Sequence, residues 1–208
     1  MRIDKNEIYH YKDYSYKNFV VLSNEELEMI LSWRNSSEVR QWMINTKEIT
    51  LVDHLNYVQS LNSREDVFYW LILRGDNPVG VLNIINVDFT TKTGEPGFYM
   101  SPQSLNRGEG ILVLQNYKEF LLNVLGFDQL LGHNYVGNLN ALQLSLFFGA
   151  DIDSVIEKGE RKYVSLCLKK EKFKYYETRK LIPSFVKFNK ENPLSIDQIL
   201  IDYTKENE

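Results

Sequence analysis

Cysteine is almost absent from this sequence, and histidine is scarce. Of the 208 residues one is cysteine, Cys167, so the chain can form no internal disulfide bond, which fits a reducing compartment. We interpret Cys167, in a terminal apolar strand, as structural. The chain has three histidines, and no group of His, Cys, Asp and Glu has the spacing of metal ligands. The sequence therefore predicts no metal site.

Long hydrophobic runs are also missing. No apolar stretch approaches the length of a membrane-spanning helix, and the N-terminal segment has no apolar core of a signal peptide. The net charge of −4 argues against non-specific binding to nucleic acid. Hydrophobic residues make up 43% and charged residues 25%, the balance of a globular protein. We expect a cytoplasmic protein with neither a membrane nor a nucleic acid as its partner.

Tyrosine is abundant at the N-terminus. Residues 1–18 carry Tyr9, Tyr11, Tyr14 and Tyr16 between lysines. The segment is either a binding arm or an ordered extension, and we favour the extension because tyrosines bury well. Residues 171–208 are more polar and end in a short helix that Ser195 caps.

The remaining periodicity predicts a mixed α/β (α+β) domain. Residues 19–22 read as a short buried strand, and capping boxes at Ser23 and Thr50 begin two helices. Leu51, with Leu55, Val58 and Leu61, forms the apolar face of the second. Three strands over residues 67–100, a helix, a strand, a helix and a final hairpin follow. We predict about six to seven mostly antiparallel strands, with extensions at 1–18 and 171–208 around a domain at 19–170.

Pro96 lies within the third of these three strands. Because proline donates no ladder hydrogen bond, it predicts a strand edge or a bulge at this point, and hence a slot between splayed strands.

The stretch SLNRGEGI places two glycines at the start of a helix. The first amides of a helix lack intrahelical partners, and Gly108 and Gly110 would let a ligand approach them. With Arg107 beside them, these amides suit a pyrophosphate. The alternative is a loop that needs glycine only for its conformation. The dinucleotide-binding fingerprint and the P-loop do not fit, because Val113 replaces the third glycine and no Gly-Lys-Ser/Thr follows.

Three blocks together resemble the GNAT superfamily of acetyl-coenzyme A-dependent N-acetyltransferases. SLNRGEGI resembles its pyrophosphate loop, although Leu105 occupies the Gln/Arg position. NLNALQLSLFFGA resembles its Asn-x-x-Ala-Ile-x-Leu-Tyr helix, with Ser145 in place of the tyrosine. WRNSSEVRQWM, with the later DHLNYV, resembles the aminosugar N-acetyltransferases of the pseudaminic-acid pathway, which act on a UDP-linked 4-amino sugar. The resemblance covers residues 20–169.

The resemblance implies a GNAT-like fold and acetyl-coenzyme A as co-substrate. It places the coenzyme at residues of the loop, the strand before it and the later helix: Met100, Arg107, Gly108, Glu109, Gly110, Asn138 and Ser145. It places the acceptor at residues of the substrate-side helices and strands: Arg34, Met43, His54, Tyr57, Asn83 and Tyr99. The alternative for Met43, Tyr57 and Tyr99 is that they are core residues. For Arg34 it is electrostatic capping of its own helix, and for His54 a half-buried, satisfied histidine.

Acetyl transfer requires a base for the ammonium proton, donors for the oxyanion and a proton for the thiolate. Glu95 is our candidate base; the alternative is a solvated carboxylate at a strand end. Ser145 is a poor acid, and it could donate a hydrogen bond to the sulfur or hold a water. Tyr135 is a candidate substitute.

Three functions stay open at this stage. The first is an N-acetyltransferase for a small amine, above all a nucleotide-linked amino sugar. The second is a protein N-terminal or polyamine acetyltransferase. The third is a non-catalytic acyl-coenzyme A-binding module, which Leu105 and Ser145 favour slightly and Glu95 disfavours. A homodimer is compatible with all three.

Overall fold

The computed structural model describes residues 1–105 and 108–203. The chain divides into two compact units, Met1–Gly126 and Phe127–Glu208. The first unit contains β1 (Ile8–Tyr11), β2 (Tyr14–Asn18), α1 (Asn24–Asn35), α2 (Ser37–Arg40), α3 (Leu51–Ser60), β3 (Phe68–Arg74), β4 (Asn77–Asp88), β5 (Thr93–Met100) and α4 (Glu109–Glu119). The second contains β6 (Gln129–Tyr135), α5 (Leu139–Phe147), β7 (Asp151–Lys158), β8 (Arg161–Lys169), α6 (Thr178–Glu191) and α7 (Ile196–Tyr203).

The predicted mixed α/β class is confirmed. The strands of the first unit lie in the order β1-β2-β3-β4-β5, and those of the second in the order β6-β8-β7. Within each unit the strand pairs are antiparallel. The described residues form eight strands rather than six or seven, because the N-terminal segment adds two.

The N-terminal segment is an ordered extension, as we favoured. Strand β2 pairs with β3 along its whole length. The Tyr16 ring stacks on Phe120 with 4.0 Å between the centroids, and its hydroxyl donates to Asn116 Oδ1. Lys12 pairs with Glu119. Burial of a tyrosine with its hydroxyl satisfied is what orders this hairpin.

The prediction of a strand at residues 19–22 is wrong. Phe19–Val21 is a turn of 3-10 helix, because the Asn18 side chain accepts a hydrogen bond from Val20 N and ends the strand. Phe19 is nevertheless buried, in the core with Leu27 of α1 and Leu71 of β3. The apolar run at residues 19–22 therefore indicated burial correctly, but it indicated the wrong type of secondary structure.

The predicted helix starts are confirmed. Ser23 and Glu26 form a complete capping box, and Thr50 accepts from Asp53 N. The predicted apolar face of α3 holds at Val58, which is buried, but Leu51 is exposed. Leu51 is the first residue of its helix and lies outside the core.

The irregularity that Pro96 predicted lies on the neighbouring strand. Pro96 pairs in register with Ile84, whereas the register of β4 against β5 shifts between Ile85 and Asp88. Asn86 has a φ of 53° there. The bulge is therefore in β4.

The C-terminal segment contains a long helix, α6, that was not predicted; only the short helix α7 was expected there. Helix α6 buries Leu181 completely. The rings of Tyr176, Phe185 and Phe188 lie 4.4, 5.2 and 5.5 Å from the ring of Phe147 in α5. Leu181, Phe185 and Phe188 are spaced for one helix face, but Pro183 lies between them and obscured the pattern.

Candidate active site

One face of the first unit's sheet carries two predicted acceptor residues, Asn83 and Tyr99, and one of the three predicted catalytic residues, Glu95. Residues that pair across antiparallel strands point to the same face. Tyr69, Asn83 and Gly97 are such a row, since Asn83 pairs with both others. Along β5, Glu95 lies two residues before Gly97 and Tyr99 lies two residues after it. Both therefore lie on this face, and their Cα atoms are roughly 13 Å apart.

Helix α1 brings Arg34 to this face. Its Nη2 donates to the carbonyl of Asn45 at 2.6 Å, while Nη1 is buried and has no hydrogen-bond partner in the structure. Arg34 interacts electrostatically with Tyr99 and Tyr69, and burial lowers its pKa. Because arginine is a strong base that stays protonated even after such a shift, the guanidinium remains cationic near pH 7. The site thus holds a charged donor with an unused N–H direction.

Two tyrosines line the next part of the face. The Tyr57 hydroxyl of α3 donates to the Tyr69 hydroxyl at 3.2 Å, and their rings cross at 88°. Burial, followed by this hydrogen bond, raises the pKa of Tyr69. Burial also raises the pKa of Tyr99, against the opposing charge of Arg34. The phenols of Tyr69 and Tyr99 are therefore neutral near pH 7 and act as hydrogen-bonding groups.

Asn83 lies across the bare backbone of Gly97. A Cβ built on Gly97 would lie 2.5 Å from Asn83 Oδ1. Among the described residues the Asn83 amide makes no hydrogen bond to the protein, and it is half-buried. The Asn83 amide can occupy this position because residue 97 has no side chain.

The other two predicted acceptor residues differ in their surroundings. Met43 lies half-buried in the turn after α2. His54 is 7% exposed and lies beside Phe19. Burial lowers its pKa, although a hydrogen bond with the Leu27 backbone acts in the opposite direction. Its Nε2 is buried and has no hydrogen-bond partner among the described residues. His54 is thus more buried than the half-buried, satisfied histidine of the alternative, and its role stays a prediction.

The Glu95 carboxylate is hydrogen-bonded to a residue in the β4 bulge. Asn86 Nδ2 donates to Glu95 Oε1 at 2.9 Å. Glu95 pairs with Ile85, whose side chain packs against the core on the same face as Tyr99. The candidate base therefore shares its sheet face with the predicted acceptor residues.

The start of α4 has the geometry of an anion site. Gly108 is its N-cap with a φ of 73°, a left-handed conformation that favours glycine. Gly110 would place a Cβ 3.8 Å from Met100 Cγ, so these two predicted coenzyme contacts are neighbours. Glu109 pairs with Arg74 at 2.9 Å. Arg107, also predicted here, lies outside the described residues.

The second unit carries the remaining predicted residues. Asn138 caps α5 by accepting from Ala141 N. The Ser145 hydroxyl donates to the carbonyl of Ala141 at 3.0 Å and accepts from Asn134 Nδ2 at 3.2 Å. The Ser145 proton is thus directed to its own helix backbone.

Tyr135 lies against the approach to the same helix. Its ring covers Gly137, where a Cβ would lie 2.6 Å from the ring, and the Arg161 guanidinium lies 5.1 Å from the ring centroid. No hydrogen bond of its hydroxyl to another described residue is formed. The Tyr135 hydroxyl is therefore not directed to another described group, unlike that of Ser145.

Four residues of these sites were not predicted from the sequence: Tyr69, Arg74, Asn86 and Asn134. Tyr69 could have been found from the alternation within its strand, since it is two residues from the apolar Leu71 on the same face. The others depend on long-range partners.

The part of the chain that the structure describes has neither a cluster of metal-ligating side chains nor a membrane-spanning helix. Residues 1–105 and 108–203 contain no group of three or more metal-ligating side chains. Within the same ranges, none of the helices combines the length and apolarity of a bilayer span.

Comparison with known proteins gives relatives in both sequence and structure. No protein-family model matches the chain. The acetyltransferase PseH of Campylobacter jejuni subsp. jejuni serotype O:2 is 30% identical over 128 residues, 62% of this chain and 78% of the relative. The crystal structure of C. jejuni N-acetyltransferase PseH in complex with acetyl coenzyme A superposes with a TM-score of 0.58 at 22% identity, covering 75% of this chain and 98% of that one.

A second enzyme has a similar fold. The spermidine N-acetyltransferase of Vibrio cholerae, in complex with CoA and spermine, has a TM-score of 0.68 at 11% identity, covering 77% of this chain and 97% of that one. These structures show that the chain has the fold of the GNAT N-acetyltransferases, as the resemblance predicted. Within that superfamily, the chain belongs to the family of the acetyltransferase PseH, and it is an N-acetyltransferase.

Proposed function

We propose that the enzyme transfers an acetyl group from acetyl-coenzyme A to the primary amine of a nucleotide-linked amino sugar. The observation that carries the proposal is the sheet face that carries Asn83, Tyr99 and Glu95 and that receives the Arg34 guanidinium from helix α1. A sugar phosphate presents hydroxyl and phosphate oxygens, which accept from such groups. The relatives named PseH support an acetyl transfer.

In this proposal the start of α4 binds the pyrophosphate of the co-substrate. The amides after Gly108 point out of the helix and carry its partial positive charge. Arg74 neutralises the Glu109 carboxylate, which would otherwise repel a pyrophosphate. C. jejuni PseH in complex with acetyl coenzyme A supports this co-substrate.

The chemical step needs one proton acceptor and one proton donor. Glu95 takes a proton from the ammonium group, through water, and the amine nitrogen then attacks the thioester carbonyl. The C–N bond forms, the C–S bond breaks, and the thiolate accepts a proton. Of the two predicted donors in the second unit, Tyr135 is the better candidate, because the Ser145 proton is directed to the Ala141 carbonyl.

A polyamine acceptor fits this face less well. A polycation would be bound by several carboxylates, whereas the described rows on this face carry the single carboxylate of Glu95, and Arg34 adds a positive charge near Tyr69 and Tyr99. The V. cholerae spermidine enzyme shares the fold at 11% identity, which says nothing about the acceptor.

Calorimetric titration with acetyl-coenzyme A tests the co-substrate site. We expect binding by the wild-type protein and its loss in Gly108→Asp, which puts a side chain and a charge at the helix start. Dephospho-coenzyme A, which keeps the pyrophosphate, is the control ligand and should also bind. Wild-type protein that binds neither ligand at high micromolar concentration would overturn the proposal.

An amine panel tests the acceptor. It contains a UDP-linked 4-amino sugar, spermidine and a peptide with a free N-terminus, and release of the coenzyme A thiol is measured. We expect kcat/KM to be highest for the UDP sugar, and Arg34→Gln to raise its KM about tenfold or more by removing a charge-assisted hydrogen bond. Higher kcat/KM for spermidine or the peptide would contradict the amino-sugar acceptor.

A further inference from the structure

Asn86 lies where strand β4 leaves its regular register. Ile85 pairs with Glu95 and Asp88 with Thr93, so β4 has one residue more than β5 between these pairs. Asn86 has a φ of 53°, the left-handed region that asparagine tolerates better than other residues with a side chain. The bulge is therefore built around this residue.

Neighbouring contacts fix the bulge on both sides. Val87 is buried and its N–H donates to the Asp66 carbonyl at 3.0 Å. The Asp88 carboxylate accepts from the amides of Thr90 and Thr91. The backbone at position 86 is thus held by contacts that do not involve its own side chain.

The bulge changes what the Asn86 side chain can reach. Side chains alternate along a regular strand, so residue 86 would point to the face opposite Ile85 and therefore opposite Glu95. In the structure Asn86 Nδ2 instead donates to Glu95 Oε1 at 2.9 Å. The extra residue is what brings the amide and the carboxylate together.

We propose that Asn86 is a positioning residue for acetyl transfer, which orients the Glu95 carboxylate through this hydrogen bond. The inference rests on the proposed role of Glu95 as the base. A glutamate side chain has three rotatable bonds, and a base must lie within reach of the proton it removes. A donor fixed to the backbone bulge restricts the carboxylate to one orientation before the amine binds.

The test combines two substitutions at Asn86 with one at Glu95. Asn86→Gly keeps the left-handed backbone and removes the amide, and Asn86→Asp keeps the shape and replaces the donor by a carboxylate. Glu95→Gln removes the base. Rates are measured from pH 6 to 9 with the amine that wild-type enzyme acetylates best in the panel above.

We expect Asn86→Gly to lower kcat about tenfold without lowering the melting temperature, and Glu95→Gln to lower it by about 10² or more. Asn86→Asp should move the acid limb of the kcat profile to higher pH, because a second carboxylate favours protonation of the pair. In the Glu95→Gln background, Asn86→Gly should have no further effect on kcat, since it acts through Glu95.

The outcomes separate the inference from the proposed function. If Asn86→Gly keeps the wild-type kcat while Glu95→Gln loses it, the positioning role alone is overturned. Wild-type kcat in Glu95→Gln would overturn the base and the positioning role together. A fall of kcat in Asn86→Gly that persists unchanged in the Glu95→Gln background would show a purely structural effect and also contradict the inference.

Discussion

Lys118 of α4 is a buried lysine, 6% exposed, whose surroundings oppose its charge. Burial lowers its pKa from 10.5 to about 8, and its described neighbours include the ring of Tyr117 at 5.7 Å. Between pH 8 and 10.5 the unfolded chain binds a proton that the folded chain does not, so stability rises with pH across this window. At neutral pH the lysine costs about 3 kcal/mol.

Lys118→Met should therefore stabilise the protein at pH 7 by about 2–3 kcal/mol, because it keeps the apolar stem and removes the buried charge. Urea unfolding at pH 7 and pH 10 measures the effect. The advantage over wild type should shrink at pH 10, where wild-type Lys118 is neutral when folded. Lys118→Arg, which stays charged, is the control and should be less stable than wild type at both pH values. An equal advantage of the methionine at both pH values would contradict the lowered pKa.

Gly97 is a residue whose lack of a side chain serves the site. Gly97→Ala would bring a Cβ to 2.5 Å from Asn83 Oδ1 and displace that amide. Because the end of the asparagine side chain can rotate, we expect a change in unfolding free energy of less than about 1 kcal/mol. The KM for the acceptor should rise severalfold, as measured by steady-state kinetics.

A double variant separates the two effects of that substitution. Asn83→Ala in the Gly97→Ala background removes the clash but also the amide. Stability should return to the wild-type value while the KM for the acceptor stays high. An unchanged KM in both variants would show that Asn83 does not contact the acceptor.

At the scale of elements, the end of α5 depends on one backbone conformation. Gly149 has a φ of 98°, and a Cβ there would lie 2.1 Å from the Lys172 carbonyl oxygen. The chain after β8 returns to this point, where Lys174 N donates to the Phe148 carbonyl. Glycine is required here both by its φ and by the approach of a second segment.

Gly149→Ala should destabilise the protein by about 3 kcal/mol or more, since the clash is with backbone and adds to the strain of a left-handed alanine. Thermal unfolding measures it. Gly159→Ala is the matched control, because Gly159 has a φ of 63° and open space around it. It should cost about 1 kcal/mol. Equal losses of stability in the two variants would show that the close contact with the Lys172 carbonyl does not add to the cost of the substitution.

Local signals predicted many of the elements well. The capping residues predicted at Ser23 and Thr50 begin helices in the structure, and Gly126 and Gly149 have positive φ at helix ends. These features depend on residues within four positions of each other, which a sequence displays directly.

Elements and contacts set by distant partners could not be predicted in the same way. Helix α6 is amphipathic around a proline, and its apolar face is recognised only against Phe147. The bond from Asn86 to Glu95 requires a one-residue bulge that no local pattern in β4 displays. The roles of the predicted site residues remain predictions, to be decided by the experiments above.

At the scale of the whole chain, the C-terminal residues carry much of the second unit's core. Two of these residues are almost completely buried, since Leu181 of α6 and Ile199 of α7 are 0% and 4% exposed. Ile199 packs in one cluster with Leu142 and Val164. The sequence-based division at residue 170 would separate these side chains from the surfaces they cover.

Removal of residues 171–208 should therefore unfold the second unit. Burial of a large apolar side chain contributes about 1.5–3 kcal/mol, so Leu181, Ile199 and the rings around Phe147 sum to the order of 10 kcal/mol. That is comparable with the total stability of about 5–15 kcal/mol of a typical domain. Circular dichroism and gel filtration of the chain 1–170 should show lost helix and aggregation. The chain 1–203, which keeps α7 complete, is the control and should match the full chain. A chain 1–170 that melts within a few degrees of the full chain would instead show that the C-terminal segment is a dispensable appendage.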